Sequence, residues 1–443
     1  MSDGWLWMTA EALGHGIGRG EIDARELTEV YLAAIESHPQ ATGIYARVTA
    51  DRARAEAAAA ADRAAAGLRR GPLDGVPIAW KDLFDTAGIA TEAGSALLAG
   101  RVPDRDAPVV AAATRAGLVC LGKTHMTELA FSGLGLNPVT ATPPNINDPD
   151  LAPGGSSSGS AAAVAFGVAA AAIGSDTAGS VRIPAAWNDL VGLKTTHGLL
   201  SLDGVVPLRP AFDTVGPLAR SVADATLLLH ALGGPSLDLG GAGVGGAALL
   251  VLDDPEALPA REEPAGAFEA AVAWIAAAGA RITRAAVPAV SEALRLWPTV
   301  AAPEAYGVWR DTIEARPELM FDRILARFRS GKDILAADYV VALRALDVAR
   351  AAWREATAAY DAVLLPTTAN LPPNLERLFA EADHFTAENL LALRNPGLAN
   401  LLGLPAVTLP CGTPSCGVML FGKPFGEAAL LRIAAGVERV LAA

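Results

Sequence analysis

Gly174-Ser-Asp-Thr-Ala-Gly-Ser180-Val-Arg182 is the stretch of this 443-residue chain whose residue types point most directly to chemistry. It sets a serine at the end of a turn of small residues, which leaves backbone N–H groups free to face a reacting carbonyl. A hydroxyl nucleophile and donors for the developing oxyanion, meeting at one carbon, are the two parts acyl transfer needs. A serine in a glycine turn is also ordinary loop chemistry, so the segment needs partners. Two more glycine-marked segments stand upstream. Gly154-Gly-Ser-Ser-Ser-Gly-Ser160 places Ser156 24 residues before Ser180, and Gly75-Val-Pro-Ile-Ala-Trp-Lys81-Asp82 places a lysine 75 residues before Ser156. No histidine falls into a triad pattern with them.

These three segments, in this order and spacing, resemble the amidase signature family. So do Leu121-Gly-Lys-Thr124, Val191-Gly-Leu-Lys194, Asp213-Thr-Val-Gly-Pro217 and Leu404-Pro-Ala-Val-Thr-Leu-Pro-Cys-Gly412, which carry the resemblance over most of the chain. Matched residue by residue, it implies a Ser-Ser-Lys triad with Ser180 as nucleophile, Lys81 as base and Ser156 as the proton relay between them. It further implies oxyanion donors at Thr177, Ala178 and Gly179 along with Ser180, and a cis peptide bond just before Ser156. Most members carry glycine where this chain has Ala178, a departure that is tolerable while φ stays negative. Asp176 and Arg182 are expected to brace the turn through charge-assisted hydrogen bonds. A free lysine titrates near about 10.4, so a lysine base at neutral pH must be brought down to near 7; the apolar run Val76, Ile78, Ala79 and Trp80 ahead of Lys81 supplies the desolvation. The competing structural reading of Lys81 is a strand-end lysine that reaches water or pairs with Asp82 or Asp85.

Substrate contacts are expected from the Phe131 to Asn137 loop, with Phe131 first, from the helical region around Tyr306, and from Ser157 and His125. The implied activity is hydrolysis of the C–N bond of a small aliphatic or aryl primary amide, with no cofactor and no metal. Two other activities compete. Asp176-Thr-Ala-Gly-Ser180 and Gly198-Leu-Leu-Ser201 look similar to hydrolases of allophanate and other carboxylated ureas, with Tyr306 and Arg310 as candidates for the carboxylate. A glutaminase subunit of a tRNA-dependent amidotransferase would use the same triad, but its Gly-Thr-Tyr-x-Leu-Ser-Ala-Gly-Tyr-Tyr segment has no counterpart near Ile334 to Val340. Intact Lys81, Ser156 and Ser180 argue against an inactive scaffold. Two decoys fail on context. Gly117 to Thr124 fits a phosphate-loop pattern but has a β-like middle, and Ser157 fits a nucleophile elbow but follows a proline-bearing loop instead of a strand.

The elements that must position these residues read as α/β. Short β-like runs at Val76 to Trp80, Leu118 to Leu121 and Ala170 to Ile173 alternate with helices near Ala107 to Ala116 and Ser158 to Gly167. Further strands are expected at Ala248 to Leu252, Ala280 to Thr283, Ala362 to Leu365, Ala406 to Leu409 and Val418 to Phe421. The resemblance implies a single α/β/α layered domain over residues 1–443 with a large mixed, mostly parallel central sheet. Residues 1–70 would form outer N-terminal helices, 71–230 the catalytic core and 290–360 a mostly helical pocket wall. Hydrophobic residues make up 52% and charged residues 19%, ample for a buried core. A net charge of −13 repels phosphate backbones and anionic membranes, so no nucleic acid or membrane partner is expected. Cys120, Cys411 and Cys416 read as reduced packing residues. The N-terminus lacks a secretory pattern and the longest apolar run, Ala161 to Gly174, is too short to span a bilayer, so a cytoplasmic protein is expected. A homodimer enters by analogy alone.

Overall fold

The computed structural model describes residues 2–442. One sheet runs through them. Its strands, in chain order, are β1 (Tyr45–Val48), β2 (Pro77–Lys81), β3 (Val119–Thr124), β4 (Ala171–Asp176), β5 (Val191–Lys194), β6 (Thr214–Ala219), β7 (Ala248–Leu252), β8 (Arg281–Ala285), β9 (Ala362–Pro366), β10 (Ala406–Pro410) and β11 (Gly417–Phe421). They lie side by side in the order β1-β3-β2-β4-β6-β5-β10-β11-β9-β7-β8. Every residue of β2, β3, β4, β5 and β6 is buried, which requires cover on both faces.

The alternation of strand side chains builds that cover. Leu249, Val251, Leu364, Val418 and Leu420 join one apolar core. Their neighbours Leu250, Leu252, Val363, Leu365, Met419 and Phe421 join a second core on the opposite face. The result is the expected single α/β domain in three layers. Its sheet is mixed, but the expected parallel majority is corrected. Parallel pairing joins β2 to β3 and β4, and β7 to β8 and β9. The other six pairings are antiparallel. The short connection from β10 to β11 has no room for a crossover helix and forces a hairpin.

Local signals start the helices where the sequence suggests. The Thr9 hydroxyl accepts from the Ala12 N–H at 3.1 Å and opens the helix Ala10–Gly18. Asp23 caps Ala24–Ser37, which buries Leu27, Tyr31, Leu32 and Ile35. The region expected to be helical holds Pro288–Ala315, Asp322–Arg329 and Ala336–Ala356. No helix among the described residues is long and apolar enough to cross a membrane. Cys120, Cys411 and Cys416 are buried free thiols.

Candidate active site

Parallel strands β2 and β4 run in register, Ile78 beside Ala171 and Trp80 beside Ile173, and both end at the same edge of the sheet. This brings Lys81, the last residue of β2, alongside Ser175 near the end of β4. Carboxyl ends of parallel strands are where an open α/β sheet leaves room for a site. The Lys81 side chain is fully buried. Its Nζ donates to Ser156 Oγ at 2.7 Å and to Ser175 Oγ at 2.8 Å. Burial pushes this lysine down to about 7, against the opposing pull of the Asp176 and Asp213 carboxylates. The strand-end reading is thereby removed: Asp82 pairs with Arg47 and Asp85 with Arg101.

A lowered lysine is not by itself distinctive here. Burial also brings Lys194 to about 7 and Lys123 to about 8. Lys194 donates to the carbonyls of Thr195 and Leu404, and Lys123 to the Phe84 carbonyl and the Thr91 hydroxyl. Lys81 differs in meeting two serine hydroxyls, one of them next to the Ser180 turn, so a proton lost from an oxygen has a path to the amine.

Ser156 and Ser157 lie in the loop that feeds the buried helix Ser158–Ala165, and the peptide bond before Ser156 is cis, as the resemblance implied. The Ser157 N–H donates to the Ser180 carbonyl at 3.2 Å, and its Oγ donates to the Ser175 carbonyl at 3.2 Å. A Cβ at position 174 would come within 2.5 Å of that Oγ, so only glycine lets the loop close on β4 here. Ser157 thus ties the serine loop to β4 and the turn. Its expected contact with substrate is corrected, because the hydroxyl points into this packing and is sealed from solvent.

Asp176 shapes the turn. Its Oδ1 accepts from the Gly179 N–H at 2.7 Å and its Oδ2 from the Val181 N–H at 3.1 Å. Arg182 grips the same carboxylate at 3.0 and 2.9 Å, and Asn400 adds a contact at 3.0 Å. The pair is buried and holds the Asp176 carboxyl well below the usual carboxylate range even though burial alone acts the other way. The brace foreseen for Asp176 and Arg182 is therefore present, and it corrects one expected oxyanion donor. Gly179, at φ +125°, spends its N–H on Asp176. The N–H groups of Thr177, Ala178 and Ser180 have no hydrogen-bond partner among the described residues, and Ala178 keeps a negative φ. Ser180 Oγ is likewise unbonded and unsealed, so hydroxyl and donors of one turn are both unspent.

Other expected contacts divide. Phe131 is buried, its ring under the guanidinium of Arg209 at 5.7 Å and that of Arg327 at 4.7 Å. His125 belongs elsewhere. Its N–H donates to Ile44 O and its carbonyl accepts from Gly159, which makes it a strut between an N-terminal segment and the helix Ser158–Ala165. Burial and then the Arg47 charge push its imidazole down to about 4. The Tyr306 hydroxyl donates to Glu314 at 3.3 Å, and Arg310 is exposed beside Asp311. Arg310 is exposed on Pro288–Ala315 whereas Tyr306 is half-buried against the core, and neither forms a hydrogen bond to the Ser180 turn among the described residues.

Residue reading missed Ser175, Asp213 and the arginine pair. Ser175 lies inside the conspicuous turn, and only strand register reveals that it meets Lys81. Asp213 accepts from the Thr177 hydroxyl at 2.5 Å and from the N–H groups of Leu208 and Arg209.

A buried lysine hydrogen-bonded to serine, next to a turn of open N–H groups on a mixed sheet, can perform acyl transfer with a serine nucleophile and a lysine base. The chain belongs to the Amidase family, whose model matches residues 26–239 and 251–431. It is an amidase, a hydrolase of carbon–nitrogen bonds. It is 35% identical to a glutamyl-tRNA(Gln) amidotransferase subunit of Anaeromyxobacter dehalogenans, over 97% of this chain and 95% of that one. It is 34% identical to a 2-amino-5-chloromuconic acid deaminase of Comamonas testosteroni, over 88% and 87%. A solved 6-aminohexanoate cyclic dimer hydrolase, in complex with substrate, superimposes with a TM-score of 0.87 at 25% identity, over 98% and 97% of the two chains.

Proposed function

We propose that this amidase cleaves the amide of a small substrate through an acyl-enzyme on Ser180. The observation that carries the reading is Lys81, fully buried, brought to about 7 and 2.7 Å from Ser156 at the edge of the Ser180 turn. Ser180 Oγ attacks the carbonyl carbon, its proton passing through Ser156 to the neutral Lys81 amine. The oxyanion takes N–H groups from Thr177, Ala178 and Ser180. Collapse expels the amine, which takes the proton back along the same path; water then gives a proton to Lys81 through Ser156 as it attacks the acyl carbon, and that proton returns to Ser180 Oγ as the acid leaves. The test is Ser180→Ala beside Ser157→Ala, with a serine-directed phosphonate mapped by mass spectrometry. Loss of turnover and of the adduct in Ser180→Ala alone is expected. An adduct on Ser157 refutes the assignment.

The similarity to amidotransferase subunits supports a second reading, in which glutamine is the ammonia source for a partner complex. Glutamine cleaved only after partner subunits are added would select it.

A further inference from the structure

The guanidiniums of Arg209 and Arg327 both lie over the Phe131 ring, and neither forms an ion pair among the described residues. Arg209 is 3% exposed. Its Nε is sealed and has no hydrogen-bond partner, while its charge lies over the rings of Phe131, Phe212 and Trp297 at 5.7, 5.9 and 5.1 Å. Arg327 gives Nε to the Phe131 carbonyl at 2.8 Å and leaves its outer nitrogens free. Arg182, by contrast, has every favourable partner a buried guanidinium needs. Asp213 and Glu304 favour the Arg209 cation without pairing with it, and Arg327 is half-buried, so a buried guanidinium held this loosely gains from a bound anion. Burial leaves both cationic at neutral pH, at about 10.

Two chains of contact connect Arg209 to the Ser180 turn. Asp213 accepts from the Arg209 N–H and from the Thr177 hydroxyl, joining the arginine's main chain to the oxyanion turn. Trp297 lies against Gly397, and Pro396, next to it, lies against Gly179. Asp213 is fully engaged by the donors named. Glu304, the other nearby carboxylate, holds the Ala211 N–H with one oxygen, while its second oxygen is buried without a partner and its charge favours the Arg209 cation.

We infer that Arg209 and Arg327 form a carboxylate subsite, so that the substrate is an amide bearing a carboxylate a few bonds from the scissile carbonyl. This rests on the Ser180 reading for the position of that carbonyl, and it replaces the uncharged amide expected from the sequence. Two guanidiniums flanking one aromatic face can hold both carboxylate oxygens while the ring lines the carbon chain between them and Ser180.

The experiment compares kcat/KM for malonamate, succinamate and glutaramate with that for butyramide, in wild type, Arg209→Met and Arg327→Met, with circular dichroism to check folding. The best carboxylated amide is expected to exceed butyramide by at least about 100-fold. Each variant is expected to reduce that ratio by about 30-fold or more, with Arg209→Lys recovering part of it. Equal rates for butyramide and the carboxylated amides in wild type, or the same fractional loss for both in the variants, overturns the subsite. Phosphonate labelling of Ser180 in the same samples reports on the nucleophile, so the two failures are separable. If wild type turns over none of the four, calorimetry on Ser180→Ala decides: succinamate binding that weakens in Arg209→Met supports the subsite, and no succinamate binding refutes it.

Discussion

At the scale of single residues, the chemistry depends on how little stabilises the charge on Lys81. A base must be deprotonated, and its proton binds as pH falls through about 7, so kcat/KM is expected to drop tenfold per unit below that point and to level above it. A profile flat down to pH 5 would exclude Lys81 as the base. Lys81→Met keeps the apolar stem and removes the amine, and should cost at least about 1,000-fold in kcat with the fold intact by circular dichroism. Ser175 offers a subtler test. Its hydroxyl accepts from the lysine at 2.8 Å and so favours the charged amine. In Ser175→Ala the acid limb of the pH profile should move to lower pH, with kcat lowered about tenfold from a less well held amine. A limb that stays in place would limit Ser175 to packing.

At the scale of elements, the turn after β4 depends on one buried ion pair. Asp176→Ala leaves Arg182 charged and without its carboxylate, and frees the N–H groups of Gly179 and Val181. Removing one partner of such a pair typically costs about 3–5 kcal/mol, measurable as a lower urea midpoint. An unchanged midpoint would mean that Asn400 and water restore the turn unaided. Much of this architecture was legible in the sequence. The apolar run Ala248–Leu252 is a strand over the expected residues, and the serine loop does lead into a helix. Less legible were β1, β5 and β6, each with a partner far along the chain. The helix Ala382–Leu402 also went unread, since Pro396 interrupts its pattern and its last turns are buried all round, leaving no amphipathic stripe. The site divides in the same way. Lys81, Ser156 and Ser180 carry their own motifs, whereas Ser175, Arg209 and Arg327 gain meaning only from register and from helices contributed by distant parts of the chain.

For the whole molecule, the net charge of −13 and the arginine pair act in opposite senses on an anionic substrate. The surface field is screened over about 10 Å at 0.1 M salt, while buried Arg209 is screened far less. Raising ionic strength from about 10 to about 200 mM should therefore raise kcat/KM for succinamate by about twofold and leave butyramide unaffected; a fall for succinamate would place the attracting charge on the surface. The sheet itself has a further consequence. Lys81 meets Ser175 only because β2 and β4 share one register, and a strand sends successive side chains to opposite faces. Deleting one residue within either strand would carry the amine into the wrong layer at once. Loop lengths between the strands can drift through generations without such penalty. Descendants of this gene should thus lose the reaction in a single step or keep it whole, while their surfaces diverge freely.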